Sequence, residues 1–85
     1  MSEVAIGNIV DYFAKVGVAA IEVTGQFLAV ADTVRIKGHT TDLVQTIDSI
    51  QLEHQPIQRA ESGQTVGVRV KERVRKGDQV LKLVP

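Results

Sequence analysis

A chain of 85 residues and 9.2 kDa allows one small domain, residues 1–85, whose core is marginal unless its elements are closely patterned. The absence of cysteine excludes disulfides, thiolate metal sites and cysteine nucleophiles, and ten basic against ten acidic residues exclude a bulk polycation. The longest apolar run, Val16–Ile21, is too short to span a bilayer, and the N-terminal segment carries Glu3 and Asp11 without a basic leader. A cytoplasmic domain with no membrane partner is therefore expected.

Fourteen valines and seven isoleucines, against five leucines and seven alanines, favour pleated and half-buried surfaces over helices. In chain order, Ile6–Tyr12 reads as a first strand, and Val16–Val23 follows after a tight Phe13-Ala14-Lys15 connection. Thr24–Ala31 holds Phe27, Leu28 and Val30 and reads as a loop folded back over the core. Thr33–Lys37 alternates, with Val34 and Ile36 on one face. Leu43–Glu53 is a longer strand whose apolar phase slips between Ile47 and Ile50, as a β-bulge near Asp48-Ser49 would produce. Pro56 ends that strand near His54, because proline is excluded from central strands. Val66–Val74 alternates cleanly, and Gly77-Asp78 turns the chain into a last strand, Gln79–Val84. Six strands on short turns point to an all-β fold, a small closed or nearly closed barrel.

Five segments carry a resemblance: Ile6-Gly7 with Val10, Val16-Gly17-Val18, Val34–Gly38, Ala60–Val68 and Lys76–Val80. In this order they resemble the second domain of elongation factor Tu and its relatives, the barrel shared by translational GTPases. Where that pattern has Gly-Asp before the third strand, this chain has Ala31-Asp32. Gly38–Asp42 and Ser49–His54 look like small elongation factor-like proteins and a related module at the C-terminus of collagenase-like peptidases. The resemblance implies a six-stranded Greek-key β-barrel of the translation-factor second-domain type. It does not imply GTP hydrolysis, since no G-x-x-x-x-G-K-[ST] loop is present.

Charge is split along the chain. Met1–Gln58 holds three basic and seven acidic residues, net −4, and Arg59–Pro85 holds seven basic and three acidic, net +4. Arg69, Lys71 and Arg73 stand opposite the apolar face of Val66–Val74, and Arg75 and Lys76 continue the row into the turn. A solvated face that discourages edge-to-edge association accounts for such a row. The functional alternative is a contact to RNA or a ribonucleoprotein by its backbone, since no ring lies within Arg59–Pro85 for base stacking. His39 with Asp42, and His54 beside Glu53, give no metal-ligand or catalytic spacing, and no serine lies in a nucleophile elbow. The expectation is a non-enzymatic, translation-related RNA-binding module without cofactor or metal. The alternative is an accessory domain that docks onto a larger enzyme by its barrel face or through an exposed loop such as Gln26–Ala31, which bears Phe27 and Leu28.

Overall fold

The computed structural model describes Ser2–Pro85 and forms strands and turns, with no helix among the described residues. The strands are β1 (Ser2–Phe13), β2 (Val18–Val23), β3 (Leu28–Ala29), β4 (Thr33–Lys37) and β5 (Asp42–Thr46), then β6 (Ile50–Leu52), β7 (Gln55–Ile57), β8 (Arg59–Ala60), β9 (Thr65–Arg69) and β10 (Gln79–Val84). Eight of them form one antiparallel sheet in the order β5-β4-β10-β1-β2-β9-β6-β7, and β3 pairs with β8 in a two-stranded ribbon. Isoleucine and valine fill the interior: Ile6, Ile9, Ile21, Ile36, Ile47 and Ile50 are each at most 1 % exposed.

The all-β, antiparallel expectation holds, and the six-stranded closed barrel does not. Among the described residues the sheet ends at β5 and β7 without a closing ladder, and the strands number ten. The segment expected as one strand from Leu43 to Glu53 changes partner at a corner. Ile47 exchanges backbone hydrogen bonds with Ala31 and Asp32 beside β4, whereas Ile50 pairs with Val68 of β9. The phase slip is thus a change of neighbour and not a bulge. The register shifts fall in β1 instead, between Ala5 and Gly7 against β10 and between Ile9 and Asp11 against β2. They let Ile6 and Ile9 both face the core, which strict alternation forbids. Pro56 does sit in a strand, but β7 is a sheet edge, where its missing N–H offers nothing to a further strand.

Between β5 and the end of β9 the connection is a side chain. Gln45 is 4 % exposed, donates to the Arg69 carbonyl at 2.9 Å and accepts the Lys71 N–H at 2.9 Å. β2 begins at Val18, opposite Arg69, so the ladder runs out and β9 stops there, short of the Val74 expected from alternation. Val70 and Val74 remain buried and pin the following loop to the core. Ala31 takes φ +81°, the left-handed conformation that suits the glycine of the related pattern.

On the outer face of β4, Arg35 donates to both carboxylate oxygens of Asp42, at 2.8 and 2.7 Å, and to Glu3 at 3.0 Å. The Arg35 guanidinium, with smaller help from Lys37, holds the Asp42 carboxyl below the usual carboxylate range. A depressed carboxyl pKa adds stability above the unfolded-state value and loses it as pH falls through the folded-state value. Asp42→Asn should therefore lower the urea midpoint at about pH 7 and lower it by less at about pH 2.5, which lies below the unfolded-state value, where this contribution is already being lost. A deficit of equal size at both pH values would show that the pair contributes through packing and not charge.

Candidate docking groove

The β1–β2 hairpin turns at Phe13–Gly17, where the Phe13 carbonyl accepts the N–H groups of Val16 and Gly17. Tyr12 packs against the core, and its neighbour Phe13 points outward, 50 % exposed, with Val16 at 63 %. Cross-strand pairing sets Val18 beside Arg69, and Ala20 beside Gly67, which in turn pairs with Gln51 of β6. These residues form a groove of about 640 Å³ on the outer face of β2, β9 and β6. Its floor is the small pair Ala20 and Gly67, and Phe13 and Val16 make one apolar wall. Glu53, His54 and Gln51 make the other wall, with Arg69 and Thr65 supplying polar groups on β9.

Two features of the backbone set this groove apart. Gly67 is not required by the fold: it has no positive φ, and an added Cβ would meet Val18 Cγ1 at 3.4 Å, an ordinary contact. A glycine within a strand costs about 0.5–1 kcal/mol relative to alanine, and a common reason to keep one is close approach by a ligand or another chain. The β6–β7 turn is the second feature. Glu53 and His54 lie at φ +51° and +66°, in a two-residue hairpin loop between Leu52 and Gln55. Such a turn favours Asn-Gly, and each non-glycine residue in the left-handed region costs on the order of 1–2 kcal/mol. Strain of this kind is tolerated where the side chains serve a site, and both of these side chains line the groove.

The expected site residues divide in space. Arg69 lines the groove, while Lys71, Arg73, Arg75 and Lys76 are exposed on the loop that leaves it. The row expected on a single strand face is therefore mostly a loop, anchored by Val70 and Val74. None of the five cations is in an ion pair among the described residues. The other expected contact does not present itself. Leu28 is 0 % exposed in the core, because β3 pairs with β8 and turns it inward. Phe27 is half-buried, with Arg59 and Lys82 each 3.7 Å from its ring centroid. Asp42 is engaged by Arg35 and is not free to serve His39. The groove itself escapes a linear reading, although a glycine inside the alternating run Val66–Arg69 is a signal that can be seen there.

Over 79 residues, 92 % of its length, the chain is 38 % identical to an uncharacterised protease of Methanocaldococcus jannaschii. Over 79 residues it is 33 % identical to a collagenase of Porphyromonas gingivalis. This chain is homologous to a segment of these proteases. That segment is a minor part of them, since the chain spans 19 % of the length of each. No family model matches the chain. The fold is shared with the C-terminal domain of a Geobacillus thermoleovorans protein described as a U32 peptidase, with a TM-score of 0.86 at 22 % identity. That superposition covers 96 % of this chain and 93 % of the solved domain. A selenomethionine variant of the same domain superposes with a TM-score of 0.84 at 20 % identity, covering 89 % and 95 % of the two chains.

These similarities support the peptidase-module part of the resemblance and not the elongation factor Tu part. They overturn the expectation of a translation-related, RNA-binding role, because the relatives are proteases and collagenases. The setting they indicate is that of a domain within a larger protease.

Proposed function

We propose that this chain is a non-catalytic accessory domain that docks onto a larger peptidase, in the same polypeptide or as a separate subunit, through the groove between Phe13 and His54. The observation that carries this reading is the pair of large apolar side chains, Phe13 and Val16, held in solvent beside a floor of alanine and glycine. Exposed apolar rims around a concave floor are the surfaces that partner chains bury. A docking role also agrees with the extent of the homology, which spans nearly all of this chain and a fifth of its longer relatives.

The test is a chimaera. The matching segment of the Porphyromonas gingivalis collagenase is deleted, or replaced by this chain, and hydrolysis of gelatin is followed with this chain alone as a third sample. Deletion is expected to abolish or destabilise the activity and replacement to restore it, with Phe13→Ala in the insert weakening the rescue. Gelatin hydrolysis by the isolated chain, or full activity after deletion, would overturn the reading.

A further inference from the structure

Arg69 lines the groove and is the first of five cations, of which Lys71, Arg73, Arg75 and Lys76 are exposed on the loop that leaves β9 directly after it. We propose that this surface holds an acidic polypeptide segment of the partner, seating one apolar side chain against Phe13 and Val16 over Gly67, with its carboxylates against Arg69, Lys71 and Arg73. This deepens the docking reading and rests on it.

Charge complementarity selects the occupant. From Arg69 to Lys76 there are five cations, and Glu72 is the only acidic residue among them. Asp78, next along the chain, is 5 % exposed and accepts the Arg75 N–H, and it is in no ion pair with these side chains. Elsewhere among the described residues Arg35, Arg59 and Lys82 are each paired with a carboxylate, and Lys15 and Lys37 are unpaired but stand singly, so a run of unpaired cations is particular to this loop. A polypeptide fits the remainder of the surface better than a nucleic acid does. The groove's rings are Phe13 on one wall and the His54 imidazole on the other, with no second ring beside either, whereas single-strand binding relies on successive stacked rings. Glu53 on the facing wall can accept a peptide N–H, a donor that a phosphodiester backbone lacks, so the carboxylates of the segment belong on the Arg69 side. Gln51 and Thr65 offer both donors and acceptors beside the bare backbone of Gly67, as an extended peptide requires. A groove of this volume lies within the usual range for a site that buries a compact ligand.

The probe is the capped peptide Glu-Asp-Glu-Phe-Glu-Asp-Glu, titrated into the isotopically labelled chain and read by amide chemical shifts. Three controls accompany it: the peptide with alanine for phenylalanine, a peptide with lysine for every acid, and a single-stranded oligonucleotide of equal charge. Shifts should cluster at Phe13–Ala20, Gln51–His54 and Thr65–Arg73, with the alanine and lysine peptides at least about tenfold weaker. Binding should weaken with added salt, since the cations are exposed. Gly67→Val, which fills the floor, and Lys71→Glu with Arg73→Glu should each weaken it about tenfold. The spectra of the variants report whether each is folded, and Gly67→Ala serves if the valine disturbs the strand.

Shifts outside the groove, equal binding of the lysine peptide, or equal binding of the oligonucleotide at the same residues would overturn the assignment. If the chimaera is active and no acidic peptide binds, this proposal fails and the accessory role stands. If the peptide binds as expected and the chimaera fails, the accessory role is what is lost.

Discussion

Gly7→Ala should cost about 3 kcal/mol or more and lower the thermal midpoint by roughly 15 °C. β1 lies at the centre of the sheet, between β10 and β2, and Gly7 pairs with Val80 on one side and Val23 on the other. A Cβ at Gly7 would overlap the backbone carbonyl oxygen of Glu22, with the Glu22 carbonyl carbon at 3.2 Å and Ile21 Cγ2 at 3.3 Å. The obstructing atoms are mainly backbone, so no rotamer change relieves them and β1 and β2 must part. A domain of this size has on the order of 4–13 kcal/mol in total, so the loss is a large share. Far-UV circular dichroism in urea is the suitable readout, since the chain has no tryptophan. Gly67→Ala, two strands away with only an ordinary contact to make, should match or exceed wild type in the same assay. Equal midpoints for Gly7→Ala and wild type would mean that β1 and β2 do not pack as closely as described.

The contrast between these glycines shows what a linear reading can reach. Where one face is buried and one partner serves each edge, alternation fixes a strand to the residue, as in β4 (Thr33–Lys37) and β10 (Gln79–Val84). Phase is less informative when the chain changes partner. The slip between Ile47 and Ile50 has the same appearance whether one residue is inserted or the strand crosses from β4 to β9. The bulges of β1 leave no distinct mark, because Ile6 and Ile9 each look acceptable in either phase. Continued burial also misleads beyond a strand end: Val70 and Val74 keep the even phase of β9 although the ladder has stopped at Arg69. The groove needs the pairing of β2 with β9, which brings residues as distant in sequence as Phe13 and Gly67 to one surface. One buried polar group is nevertheless legible, since Gln45 stands in phase with Leu43 and Ile47, whereas Lys82 shares its phase with Val80 and Val84 against Leu81 and Leu83 in the other, so alternation does not orient it.

Lys82 is the second position where one change should have a large effect. Its side chain is 10 % exposed, its Nζ lies 3.1 Å from Asp32 Oδ2 and 3.3 Å from the Phe27 carbonyl, and it stacks on the Phe27 ring. Asp32 also accepts the Ala29 N–H at 2.9 Å, so one carboxylate satisfies both the ammonium and the turn into β4. Asp32→Ala leaves the cation buried without its counter-charge and the Ala29 N–H without its acceptor. Removing one partner of a fully buried pair costs about 3–5 kcal/mol, and the 22 % exposure of Asp32 moves the expectation here to about 3 kcal/mol. Lys82→Met should cost less, about 1 kcal/mol. The carboxylate left behind still reaches water and keeps its bond to Ala29, and the thioether packs well on the Phe27 ring. The double variant Asp32→Asn with Lys82→Met should return to within about 1 kcal/mol of wild type, since neither charge remains and the amide oxygen can still accept the Ala29 N–H. Urea unfolding of the cycle made of Asp32→Asn, Lys82→Met and their combination decides the matter, because residues in contact are non-additive by about 0.5–3 kcal/mol when they are coupled. Additive costs would mean that the Phe27 ring and carbonyl alone hold Lys82 inside, and that Asp32 contributes only through the turn.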